Sequence, residues 1–100
     1  MIKKTTEYLA QVRDKTGFSD YKISKEYDIN QSNLSKYSSG KAALSETHAW
    51  LFANILELDP SEVVANTKYE HAINTGNNSK AIFWQEQLNK IYSEPESIKI

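Results

Sequence analysis

The chain contains no cysteine, two prolines and three glycines in 100 residues. Without cysteine there is no disulfide framework and no thiolate chemistry, and the reducing cytoplasm is the expected compartment. Few glycines and prolines argue for helices over a turn-rich sheet fold. No apolar run approaches the roughly 20 residues that cross a bilayer. The opening Met1-Ile2-Lys3-Lys4 leads into polar residues, so no secretion signal is expected. A strong excess of basic charge is also missing: the net charge is −1, whereas dedicated nucleic-acid binders are usually basic. The charge is unevenly spread, however. Residues 1–48 carry eight Lys/Arg against six Asp/Glu, and residues 49–100 carry four Lys against seven Asp/Glu. Salt screens charge beyond roughly 10 Å, so a local basic face in the first half can act despite the acidic remainder.

What is present is most concentrated between Asp20 and Tyr37, DYKISKEYDINQSNLSKY. Ile23 and Tyr27 lie one helical turn apart on one face, and Leu34 and Tyr37 repeat that pattern after a break. The break, Asp28-Ile29-Asn30, holds a single apolar residue suited to plug the angle between two short helices. Ser24 is small where those helices must approach. The second helix turns Gln31, Ser32, Asn33, Ser35 and Lys36 outward, and no acid occurs between Asp28 and Glu46. Amides, hydroxyls and ammonium groups are the partners of base edges and phosphates. The stretch reads as a helix-turn-helix that meets duplex DNA.

The remainder also reads as helices. Thr5 or Thr6 is expected to cap a first helix to about Lys15, with Tyr8, Leu9 and Val12 as its apolar stripe and Gly17 as its stop. Ser19 or Asp20 caps the second helix, and Asn30 caps the third, from Gln31 to about Ser38, with Gly40 as a left-handed stop. Ser45 opens a fourth helix bearing Ala49, Trp50, Leu51, Phe52, Ile55 and Leu56, the expected central core helix. Asp59-Pro60-Ser61-Glu62 starts a fifth. Ser79 is expected to cap a sixth, Lys80 to Tyr92, with Ala81, Trp84, Leu88 and Ile91 on one face. Pro95 bars its continuation. The tail, 94–100, is expected to be mobile, with Ser97-Ile98-Lys99-Ile100 able to pair as a strand.

The order of features from Ser19 to Val64 resembles the Cro and phage-repressor (XRE-like) helix-turn-helix family. The phrase I-x-Q-S-x-L-S-x-Y-x-x-G-K, from Ile29 to Lys41, fixes eight identities in thirteen positions. A long apolar helix and the segment Leu58-Asp59-Pro60-Ser61-Glu62-Val63-Val64 complete the pattern. The part after Ala65 is similar, more faintly, to small regulators of filamentous phages. Two departures stand out: Asp28 occupies the turn position where the family favours glycine, and Asp20 stands where a phosphate-bonding glutamine is common. The resemblance implies an all-α five-helix repressor-like bundle with a sixth C-terminal helix. Residues 1–76 would form the DNA-binding domain, 77–93 a dimerisation helix and 94–100 a tail.

A recognition helix enters the major groove with its N-terminal turn foremost. Gln31, Ser32, Asn33 and Lys36 are the expected base contacts. Ser19, Tyr21, Lys22, Asn30, Ser39 and Lys41 are the expected phosphate contacts. One such unit reads few base pairs, so a homodimer on a double-stranded operator is expected, joined through Ala81, Trp84, Leu88 and Ile91 and widened by Ile82, Phe83 and Tyr92. The alternative for that stripe is to fold back on its own domain. Single residues also have blander readings: Asn33 and Ser35 can simply face solvent, and Tyr37 suits a core. His48 and His71 lack metal-ligand spacing, and no catalytic set or cofactor motif is present. The functional expectation is therefore a DNA-binding transcriptional repressor, not an enzyme and not membrane-bound. The rival is an antitoxin-like or adaptor module on the same fold, gripping a protein partner.

Overall fold

Local capping chemistry sets most of the helix boundaries. The computed structural model describes residues 2–93, and the expectations for Pro95 and the tail lie outside them. The described elements are α1 (Thr5–Thr16), α2 (Asp20–Tyr27), α3 (Gln31–Ser39), α4 (Glu46–Leu56), α5 (Pro60–Asn74) and α6 (Asn78–Ser93). The described residues are therefore all-α, and none of their helices is long and apolar enough to cross a membrane. Ser19 Oγ accepts from the Lys22 amide, Asn30 Oδ1 from Ser32, Ser45 Oγ from His48 and Asp59 Oδ1 from Ser61. Each bond satisfies a donor that the first helical turn otherwise leaves unpaired.

Two helix starts differ from expectation. Lys4, not Thr5 or Thr6, precedes α1, and its amide donates to Glu7 Oε1 at 2.7 Å. Thr5 is instead buried: its amide and hydroxyl both donate to Glu70 Oε1, and its hydroxyl accepts from the Leu44 amide. That hydroxyl joins three parts of the fold, a role that local pattern does not reveal. At the other end, Asn77 Oδ1 accepts from the Lys80 amide, so α6 begins before Ser79.

The main core joins Tyr8, Leu9 and Val12 of α1 to Ile23 of α2, Ile29 of the turn and Leu34 and Tyr37 of α3. Leu44, Ala49, Phe52, Ala53 and Val63 close it. Within α4, Ala49, Phe52 and Ala53 are buried, but Trp50 is 54% exposed. A helix advances about 100° per residue, which puts Trp50 about 160° round the helix from Phe52 and off the core-facing arc.

Helix α5 lies between α4 and α6. Its Ala65 and Ala72, together with Ala81 and Leu88 of α6, are buried outside the main core. Part of the apolar stripe of α6 is thus buried within the monomer. Ala81 is 7% and Leu88 1% exposed, while Trp84 and Ile91 are half-buried. Of the expected dimer surface of Ala81, Trp84, Leu88 and Ile91, Ala81 and Leu88 are therefore buried within the monomer, while Trp84 and Ile91 stay partly open. The apolar residues of α6 that remain open are Ile82 and Phe83.

A polar clasp fixes the outer layer. Asn66 is fully buried, and its Nδ2 lies 2.9 Å from both the Tyr8 and Tyr92 hydroxyls. Asn66 Oδ1 accepts from the Lys3 amide, and Tyr92 donates to Glu62 Oε2. Burial pushes the Tyr8 hydroxyl well above its ordinary pKa.

Asp28 adopts a left-handed conformation, φ 56°, ψ 48°. Glycine reaches that region without strain, and an acid at a helix C-terminus opposes the helix dipole. Asp28→Gly is expected to stabilise the protein by up to about 1 kcal/mol. Ile29→Ala, which empties the plug, should cost about 2–5 kcal/mol. Thermal and denaturant unfolding of both variants measures the two signs; destabilisation by the glycine would contradict the strain argument.

Candidate nucleic-acid interface

The interface begins at the turn between α2 and α3. Ser24 Oγ donates to the Ile29 carbonyl at 2.7 Å, and the Ile29 amide donates to the Ser24 carbonyl at 3.0 Å. The reciprocal pair closes the turn, while the Ile29 side chain is 2% exposed. Ser24 was expected for its size alone; its hydroxyl does as much. Buried Leu34 and Tyr37 and the closed turn fix the rotation of α3 seen here. Gln31, Ser32, Asn33, Ser35 and Lys36 are all exposed in that setting. At nine residues, α3 is about 13 Å long. With side chains a helix is about 10–12 Å across, a match for the roughly 12 Å width of the major groove of B-DNA.

Two shallow grooves flank α3. One, towards α2, is lined by Asp20, Tyr21, Gln31, Ser35 and Ser39. The other, towards α4 and α5, takes Asn33, Lys36 and Lys41 on its near side. The expected base and phosphate contacts therefore divide. Gln31, Tyr21 and Ser39 share one side, and Asn33, Lys36 and Lys41 share the other. Ser32 is exposed at the front of α3.

The flanking residues keep chemistry to offer. Ser19 and Asn30 spend an oxygen on capping, which leaves the hydroxyl hydrogen and the amide nitrogen as donors. Tyr21 is 62% exposed, with Lys25 Nζ 5.4 Å above its ring. Lys22 Nζ lies over the Phe18 ring and 4.0 Å from Glu26, so its charge is partly answered. Ser39 Oγ donates to the Lys36 carbonyl.

Asp20 does not cap α2. Its carboxylate is held by Arg13, with Nε at 2.7 Å and Nη2 at 2.8 Å, and Nη2 also donates to Ser38 Oγ at 3.0 Å. One guanidinium thus ties α1, the start of α2 and the end of α3. The Arg13 hydrogen bonds hold the Asp20 carboxyl below its ordinary pKa. The arrangement answers the one acid on the α2 groove with a fixed cation. The sequence placed Arg13 on α1 but gave no sign of this pairing.

Behind α3, the Tyr37 hydroxyl accepts from the Ser45 amide at 3.2 Å and lies 2.7 Å from His48 Nδ1. Tyr37 and His48 thus share one hydrogen bond, whose donor is set by the histidine's tautomer. Among the described residues, no group of three or more His, Asp or Glu is placed to hold a metal ion. Comparison with family models, with curated proteins and with solved structures finds no match to the chain.

Burial lowers the His48 pKa from its ordinary 6.5. The unfolded chain then takes up this proton at a higher pH than the folded chain does. Stability should fall as the pH drops below about 6.5, and level off once the folded-state value is passed. His48→Gln is expected to flatten that slope. Melting temperatures of both proteins between pH 7.5 and 5, in steps of about half a pH unit, provide the check; parallel curves would mean that His48 does not carry the effect.

Proposed function

We propose that the chain is a sequence-specific DNA-binding regulator, most simply a repressor, that places α3 in the major groove of a double-stranded operator. The observation that carries this reading is the polar outer face of α3, held exposed by a closed turn and a buried plug. Its groups suit the task. Gln31 can accept and donate at once to adenine, and Lys36, one turn beyond Ser32, can reach guanine or a phosphate. The five-helix repressor-like fold and the resemblance to the Cro and phage-repressor family belong to the same proposal. So do the cytoplasmic setting and the phosphate roles of Ser19, Tyr21, Lys22, Asn30, Ser39 and Lys41.

An operator of two half-sites calls for two copies. With Ala81 and Leu88 buried, the exposed apolar residues Ile82 and Phe83, at 58% and 50%, beside half-buried Trp84 and Ile91, are the part of α6 left for self-association. The rival reading, an antitoxin-like or adaptor module, draws on the same residues together with exposed Trp50.

A fluorescence titration of duplex DNA from upstream of the protein's own gene tests the main proposal. Tight binding that weakens steeply with salt is expected. Gln31→Ala should lose about 1–3 kcal/mol of discrimination at one base pair, and Lys36→Ala should lower affinity. Absence of binding, or indifference to both substitutions, would transfer the case to the protein-partner reading. For self-association, sedimentation of Phe83→Ser beside the parent is expected to show fewer dimers; two identical profiles would remove this surface.

A further inference from the structure

We propose that the groove between α3 and the end of α5 seats the sugar–phosphate backbone of the same duplex, with Lys68 and His71 of α5 as phosphate contacts. The inference rests on the DNA reading above and extends its footprint to a helix that held none of the expected contacts. The groove has a volume of about 600 Å³. Lys36 of α3, Lys41 of the following loop, and Lys68 and His71 of α5 all line it, while Glu46 is the one acid on its wall. For a protein of net charge −1, this is a local reversal of sign.

The choice of occupant follows from continuity. Asn33 and Lys36 belong both to the exposed face of α3 and to the wall of this groove. Whatever meets the front of α3 is therefore led into the groove, where cationic and hydrogen-bonding groups replace amides suited to bases. Duplex DNA presents this sequence of chemistries, base edges in the major groove and a line of phosphates along its rim. The floor is firm, because Tyr37 is held by Ser45 and His48. Lys68 is engaged but not buried: its Nζ lies 3.5 Å from Glu46 Oε1, and both side chains are well exposed. Such a surface pair is weak, so a phosphate can take Lys68 from Glu46 at small cost.

The test measures binding of Lys68→Gln, His71→Gln, Glu46→Gln and the parent, as full-length chains, to the upstream duplex and to a random duplex of equal length. Titrations at 50 and 200 mM salt give the salt slope. Each lost phosphate contact lowers the slope of log K against log salt by about 0.9 for an ionic partner. Over this fourfold range in salt, that is about a threefold smaller loss of affinity. Lys68→Gln should weaken both duplexes alike and flatten the slope. His71→Gln should weaken both, with less effect on the slope. Glu46→Gln should strengthen both. Opposite signs for Lys68 and Glu46 separate a phosphate site from a merely structural ion pair, whose loss from either side would act in the same direction. If the parent binds duplex DNA while Lys68→Gln and His71→Gln match it in affinity and slope, the groove serves another anion and this inference fails alone. If the parent binds neither duplex, the DNA reading falls and takes the inference with it.

Discussion

The angle between α2 and α3 depends on one short exchange, the Ser24 hydroxyl to the Ile29 carbonyl and the Ile29 amide back to the Ser24 carbonyl. Two buried backbone groups that would each cost free energy if left unpaired are satisfied by a single residue one turn earlier. The bond requires the chain to pass through a left-handed residue, and Asp28 accepts that conformation. It also sends the Ile29 side chain inward, where it meets the apolar residues of α1, α2 and α3. The turn, the plug and the orientation of α3 are therefore one constraint. Relaxing it would rotate α3 about its own axis and exchange Leu34 or Tyr37 for the amides on the outer face.

Around that constraint, polar groups fix what apolar contacts leave free to slide. Arg13 spans three helices through Asp20 and Ser38, and the Tyr37 hydroxyl links the end of α3 to the start of α4. Both connections lie at the edges of α3, where packing alone tolerates small shifts. The first also sets charge, since it neutralises an acid beside Gln31. The surface of α3 thus owes its electrostatic character partly to residues that never reach it.

The sequence made local features legible and left distant ones hidden. Ser19, Asn30, Ser45 and Asp59 cap as their positions suggest, because a cap is a bond to an amide two or three residues away. The turn at Asp28 and the outward face of α3 follow from periodicity in the same way. The largest failures involve partners on other elements. Thr5 looked like a cap but answers Glu70, and Asp20 looked like a cap but answers Arg13. The stripe of α6 was recognisable as a face that needs covering; that α5 covers part of it depends on the turn through left-handed Gly76, whose direction periodicity does not encode. Lys68 and His71 gave no signal, since nothing in α5 itself says that its last turns run beside α3.

The clasp on α5 has a consequence for the order in which the chain assembles. Lys3, Thr5 and Tyr8 reach their partners Asn66 and Glu70 across 58 to 65 residues. Contacts so remote are entropically late, whereas the α2–α3 turn closes within a handful of residues. On a translating ribosome the first helix would leave the exit tunnel several seconds before its anchors are synthesised. Until then, its N-terminal turn can be held only by Glu7, and the nascent chain would carry a finished turn on an unlatched amino end.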